Sequence, residues 1–274
     1  MKGNKFDFSK KVQESFIFYF DILGYKERIK EMGEEFFLGL LSLIFDEIIS
    51  KKIEDGMYTI NIFGSTVDYV KKFDIKYKIF SDNVVMSLKL ENDFQLDFEL
   101  FISFMNFVGS IQNVLLLLLR TYIRGSFAKG SMYIDENFVF GNGLISAYEK
   151  EDKMAIYPRI VLDSYCRDLL VRYEKQKLSK VELYNDIVDN IAIRGEDGIY
   201  FINYLFRNFT LNYNDLVGKE GLYALSTLKW HKVVLEDSME NESNERILQK
   251  YHWCANFHNQ ICEKYNLKDM IIYY

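Results

Sequence analysis

From Ser15 the chain reads Ser-Phe-Ile-Phe-Tyr-Phe-Asp-Ile-Leu-Gly-Tyr25. Six of the seven residues from Phe16 to Ile22 are aromatic or β-branched, which predicts a strand buried on both faces. Asp21 breaks the run near its end. Apolar positions Ile29, Met32, Phe36, Leu40, Ile44 and Ile48 then recur three or four apart and predict helix over 26–52, with Gly33 as a break. A short strand is expected at 57–63 and a strand pair at 77–90, the latter interrupted by Ser81-Asp82-Asn83. A long apolar helix follows at 94–119. Residues 122–133 alternate: Ile123, Gly125, Phe127 and Lys129 fall on one face, Arg124, Ser126 and Ala128 on the other.

After a turn at 135–137 the pattern gives a short strand at 138–140, a helix at 144–150 opened by Gly141-Asn-Gly143, and a strand at 154–162 around Pro158. The order β-α-β-β-α-β predicts an α+β fold of the split βαβ, ferredoxin-like kind. Beyond Ser164 the character changes. A helix at 166–188 precedes a hairpin of 190–194 and 199–204, turning at Gly195-Glu-Asp-Gly198. Helices at 212–236 and 243–265 are joined by a polar stretch. The organisation expected is a core over 1–164 and a hairpin and helical extension over 165–274, packed on the same unit.

Composition narrows the class. Of 274 residues, 49% are hydrophobic and Pro occurs once, which suits a well-packed globular chain without long linkers. A net charge of −6 gives no basic track for a polyanion, so nucleic acid is not the expected partner. Cys166, Cys254 and Cys262 form no disulfide framework and point to a reducing cytoplasm. Residues 100–119 carry no charge over a length able to span a bilayer, yet Ser103, Asn106, Gln112 and Asn113 suit a buried helix better than lipid. Cys254, His258 and Cys262 recur at i, i+4 and i+8; the end-to-end rise of about 12 Å is too long for one ion, so they read as a packed helix face.

The chemistry centres on two carboxylates. A carboxylate is costly to bury unless it is paired or bound to a metal. Asp21 ends a strand before a glycine turn and a helix start, where backbone N–H groups can hold phosphate. Asp82 sits between two apolar arms, at the expected tip of a hairpin. Two such tips side by side would place two carboxylates around a pair of divalent cations. The alternatives are a helix-capping Asp and an ordinary Ser-Asp-Asn turn.

These residues resemble a known family. Phe20-Asp-Ile-Leu-Gly-Tyr25 is similar to the first-strand motif of class III nucleotidyl cyclases, and Lys78-Ile-Phe-Ser-Asp82 to their Lys-x-x-Gly-Asp hairpin, with Ser81 for Gly. Residues 124–130 resemble the Arg-x-Gly-x-x-x-Gly strand, with Ser126 for the first Gly. Gly141 and Ala147 match the Gly-x-x-Val-Asn-x-Ala helix. That helix's catalytic Asn falls here on Ile145 and its transition-state Arg on Glu149. Arg124-Gly125, Phe140-Gly141, Ala147-Tyr-Glu149, Tyr157-Pro-Arg-Ile160, Asp197-Gly198 and Tyr200-Phe-Ile202 are closest to the Pycsar pyrimidine cyclases of anti-phage defence.

The resemblance implies cyclisation of a nucleoside triphosphate, UTP ahead of CTP, to cyclic UMP or cyclic CMP read by a downstream effector. It implies two Mg²⁺ or Mn²⁺ ions on Asp21 and Asp82, with the Ile22 carbonyl as a further ligand. Backbone N–H groups of Leu23, Gly24 and Tyr25 would take the phosphates, and Lys78 is the base-contact residue unless it is a plain exposed strand lysine. The displaced cation is sought among Arg124, Lys129 and Arg159; the alternative for Arg124 and for Arg159 is a structural ion pair, and Glu149 is placed to pair with one of these cations. A cytoplasmic homodimer with shared sites, off the membrane, is the expected assembly. The rival is a catalytically silent cyclase-homology module that binds nucleotide or only dimerises.

Overall fold

In the computed structural model, residues 10–54, 75–176, 190–205 and 219–274 are described. The chain opens with β1 (Gln13–Ile22), α1 (Tyr25–Met32), α2 (Glu34–Ser42), a π-helical stretch (Leu43–Ile49) and α3 (Ser50–Glu54). A hairpin of β2 (Ile75–Phe80) and β3 (Asn83–Lys89) leads to α4 (Phe94–Leu119). Then come β4 (Ile123–Ile134), β5 (Val139–Phe140), α5 (Asn142–Met154), β6 (Ile160–Leu162) and α6 (Ser164–Gln176). The last part holds β7 (Ala192–Arg194), β8 (Tyr200–Ile202), α7 (Lys219–Asn241), α8 (Glu245–Lys264) and a 3₁₀ turn (Lys268–Met270).

The sheet runs β2-β3-β1-β4-β6-β8-β7, with β5 paired to β4. The β2-β3-β1-β4 pairings are all antiparallel, and this is the order of a split βαβ, ferredoxin-like unit within an α+β fold. β6 adds parallel to β4, and β8 pairs with β6, so the sheet runs unbroken from residues before 164 to residues after it.

β1 is central and buried on both faces, as its composition requires. Phe16, Phe18, Phe20 and Ile22 point to one face and pack with Phe101, Phe104, Met105 and Val108 of α4. Ile17 and Tyr19 point to the other and pack with Val85, Ala128, Met132 and Ala147. By this alternation Asp21 lies on the second face, under α5. Asp93 caps α4, its side chain accepting from the Leu96 N–H at 2.9 Å. Of the membrane-length window in α4, 72% is buried inside the molecule, so its apolar face is core.

Several expected boundaries move. The 57–63 strand and the end of the 166–188 helix lie outside the described residues. Gly33 does split the first helix, at φ 83°. α5 extends four residues past Lys150, and β6 is correspondingly short: the Arg159 N–H donates to the Tyr157 carbonyl at 2.7 Å in a turn, while the Arg159 carbonyl accepts from the Gly125 N–H at 3.0 Å and starts the ladder. α7 continues to Asn241 through the polar stretch expected as a connector, because its Glu and Met residues are good helix formers.

The C-terminal helices are joined to the sheet through a buried polar chain. The His258 Nε2–H donates to the Met270 carbonyl at 2.9 Å, which leaves His258 Nδ1 as an acceptor. His231 Nδ1–H donates to it at 3.0 Å, and His231 Nε2 accepts from the Tyr204 hydroxyl at 2.9 Å. Both imidazoles are neutral: burial pushes His231 well below its ordinary value of 6.5, and pushes His258 down to about 4. The unfolded chain takes up the His258 proton near pH 6.5 and the folded chain only near 4, so stability is lost as pH falls through that window. Denaturant midpoints measured across the window are expected to fall, with a loss on the order of 3 kcal/mol from His258 alone. A flat profile would contradict the buried neutral pair. Cys254 and Cys262 are likewise buried and unpaired, so this helix face is packing.

Candidate active site

Asp21 and Asp82 meet at one end of the sheet. β1 and β3 pair with Asp21 opposite Asn83, and the Ile22 N–H donates to the Asp82 carbonyl at 2.8 Å, fastening the hairpin tip to the end of β1. The tip is a two-residue loop between Phe80 and Asn83; Ser81 enters it at φ 61°, a conformation that favours glycine. The Asp82 carboxylate accepts from the Asn83 amide at 2.9 Å, and the Asn83 amide oxygen accepts from the Tyr19 hydroxyl. Asp82 is thus oriented by side chains from both strands. Burial raises the proton affinity of Asp21, Arg124 opposes that shift, and Asp82 adds to it. A partly buried carboxylate beside a second one is an electrostatic invitation to a cation.

Arg124 stands directly across β4 from Asp21, as the alternation of that strand requires. Its Nη2 lies 3.4 Å from Asp21 Oδ2, and its Nε lies 2.6 Å from Glu151 Oε1. The second contact is close but not aligned as a hydrogen bond, so it is a charge contact. Glu151 is 4% exposed, and desolvation lifts its carboxyl to about 7, against the pull of Arg124 and with the push of Asp21. α5 delivers Glu151 because it lies flat on the sheet: a Cβ on Gly130 would stand 2.6 Å from the Gly143 Cα, and the Ser126 hydroxyl donates to the Ala147 carbonyl at 2.6 Å. Glu149, expected to pair with one of the cations, instead pairs with Lys153 at 3.1 Å on the solvent side. Two residues on, Glu151 takes that part.

The turn after Asp21 has Gly24 at φ 70° and leads into α1. The Leu23 N–H donates to the Tyr122 carbonyl at 2.9 Å, so it is not available to a phosphate. The reading of Leu23 as a phosphate donor is corrected on that ground. Gly24 and Tyr25 remain, at the positive end of α1. Burial raises the Tyr25 hydroxyl, and the nearby Asp82 carboxylate adds to the shift.

The other predicted residues are dispersed within the protomer. Lys78 pairs with Val85, which shares the Tyr19 face, and its Nζ donates to the Glu136 carbonyl at 2.7 Å. Lys129 lies on the opposite face from Arg124, with its Nζ 4.3 Å from the Tyr165 ring centroid. Arg159 is next to Arg124 across the sheet but 2% exposed, and its two Nη groups bind Asp197 at 3.2 and 2.5 Å. Neither Lys129 nor Arg159 reaches Asp21 in this chain.

Sequence reasoning missed two residues here. Glu151 sits between Lys150 and Asp152 in a run that reads as a solvent face. Lys250 comes from α8, far along the chain; burial, Arg124 and Arg246 lower its proton affinity and Asp21 raises it, which puts its ammonium in the field of the site.

The donor set suits hard divalent cations. Among the described residues no group of three or more His, Cys, Asp or Glu converges. Two carboxylates completed by phosphate oxygens, carbonyl and water are the usual way in which Mg²⁺ is held, and the mutual repulsion of Asp21 and Asp82 is what such ions would relieve.

No protein-family model matches this chain, and no curated protein matches it. Among solved structures it is similar to the guanylyl cyclase Cya2, with a TM-score of 0.40 and 12% identity over 70% of this chain and 92% of that one. It is also similar to a class III adenylyl cyclase-like ATP-binding protein from Pseudomonas aeruginosa, with a TM-score of 0.37 and 13% identity over 68% of this chain and 43% of that one.

Proposed function

We propose that this chain is a nucleotidyl cyclase that converts a pyrimidine nucleoside triphosphate, UTP ahead of CTP, to the 3′,5′-cyclic monophosphate and pyrophosphate. The observation that carries the reading is the meeting of Asp21 and Asp82 at adjacent strand ends beside Arg124, on the motifs that resemble class III cyclases. The pyrimidine preference and a role as a signal in anti-phage defence rest on the resemblance to the Pycsar cyclases alone.

In the reaction the ribose 3′-hydroxyl loses its proton to solvent, its oxygen forms a bond to the α-phosphorus, the bond to the β-phosphate bridge breaks, and pyrophosphate leaves. Two Mg²⁺ or Mn²⁺ ions, when bound, supply charge neutralisation on the phosphates and acidify the attacking hydroxyl. Asp21 and Asp82 would hold them, with the Ile22 carbonyl. The N–H groups of Gly24 and Tyr25 orient the terminal phosphates. Arg124 turns from Asp21 toward the phosphate oxygens, where its planar fork suits them, and Glu151 keeps its other edge fixed.

The active form in this reading is a cytoplasmic homodimer. Phe138 and Phe140 around β5, and Ile145 and Tyr148 on α5, are exposed apolar side chains that a second copy would cover. One observation favours the rival, a silent nucleotide-binding module: Ile145 and Glu149 are exposed on α5 and bring neither amide nor cation. The two are separated by phosphate release. Cyclisation yields one pyrophosphate per triphosphate, with Mn²⁺ present and no orthophosphate; a silent module yields neither.

A further inference from the structure

We propose that Lys250, on the C-terminal helix α8, is a phosphate-binding residue of the Asp21–Asp82 site, so that the C-terminal layer completes the site. The proposal rests on the nucleotide reading above and adds to it a residue outside the core.

The placement follows from the sheet. Asp21 pairs with Arg124, and the parallel register that sets Gly125 opposite Ile160 sets Arg124 beside Arg159. These three side chains form a row across the strands on one face. α8 lies along that row. Trp253 stacks on Tyr157 with centroids 5.4 Å apart, and the Arg159 guanidinium carbon is 5.6 Å from the Trp253 ring. Tyr251 contacts Tyr122 at 6.4 Å and packs in one cluster with Leu23, next to the turn that follows Asp21. Arg246, Lys250 and Trp253 recur four and three apart, so they share a helix face. With Trp253 over Arg159, the preceding turn brings Lys250 toward Arg124 and Asp21. The electrostatics agree: Lys250 feels Arg124, Arg246 and Asp21 together.

The charges then need an explanation. Lys250 is partly buried and makes no ion pair among the described residues, yet it stands near two arginines. Gathering three cations on one rim is unfavourable unless an anion joins them. Arg124 already has Asp21 and Glu151 as its carboxylate partners, and neither is paired with Lys250. A polyphosphate chain lying between Asp21, Asp82 and this rim is the anion that balances both sides.

The test uses 3′-deoxynucleoside triphosphates, which lack the attacking hydroxyl and so report binding without turnover. Calorimetric titrations of 3′-deoxy-UTP, -CTP, -ATP and -GTP with Mn²⁺ are compared between wild type, Lys250→Met and Lys250→Arg; each variant is first checked for unchanged circular dichroism and melting. Lys250→Met is expected to weaken triphosphate binding about tenfold. Lys250→Arg is expected to restore most of it, and binding of 3′-deoxyuridine, which has no phosphate, is expected not to change. Wild-type binding that Lys250→Met leaves unaltered overturns this proposal alone. A folded wild type that binds none of the four triphosphates overturns the proposal together with the nucleotide reading beneath it.

Discussion

Asp21→Ala and Asp82→Ala are each expected to lower product formation by about a thousandfold or more while the protein stays folded. Neither carboxylate alone can hold a pair of divalent ions against water. The structure also says why folding should survive. Asp21 is a partly buried charge raised in proton affinity by its own desolvation and by Asp82, so its removal relieves a repulsion. Arg124 keeps Glu151 as its partner when Asp21 is lost. The Asp82 backbone, not its carboxylate, fastens the hairpin to β1 through the Ile22 N–H at 2.8 Å. Melting temperatures and circular dichroism should therefore stay close to wild type while pyrophosphate release disappears. Normal turnover by either folded variant would remove the metal assignment.

The second large effect concerns Arg124 and the carboxylate behind it. Arg124→Ala should reduce turnover about a hundredfold, the scale lost with one donor to transition-state charge. Glu151→Gln should act through pH. Burial lifts the Glu151 carboxyl to about 7, so it ionises as pH rises through the neutral range. Once ionised it pulls Arg124 away from Asp21 and leaves that carboxylate to the metal; when protonated it releases Arg124 to Asp21. Turnover should therefore rise with pH to an inflection at or below about 7, cation binding at Asp21 drawing it downward. In Glu151→Gln the inflection should vanish and activity should stay at the low-pH plateau. An unchanged profile in that variant would show that Glu151 does not govern Arg124.

How far these residues were legible in the sequence follows from the range of the interactions that place them. Asp21 interrupts an apolar strand, and Asp82 interrupts another; both irregularities are local, and both carboxylates emerge at strand ends. Arg124 was placed on the correct face by the alternation of β4 alone. Glu151 was hidden because the register of α5 on the sheet is set by the approach of Gly130 to Gly143, not by charge pattern within the helix. Lys250 was hidden because α8 reaches the sheet through aromatic packing with Tyr157 and Tyr122. The Leu23 N–H was misread for a related reason: its acceptor, the Tyr122 carbonyl, is remote in sequence. The His231–His258 chain also joins two helices whose pairing no local pattern announces.

The most direct test of the cyclase reading is the mass of the nucleoside product. Purified protein is incubated with Mn²⁺ and each of UTP, CTP, ATP and GTP in turn. The account predicts a 3′,5′-cyclic monophosphate from UTP or CTP, UTP ahead, formed together with one pyrophosphate. Efficient conversion of ATP or GTP with little from UTP or CTP would contradict the pyrimidine assignment. No cyclic product from any of the four, in a protein that binds them, would contradict the enzyme itself.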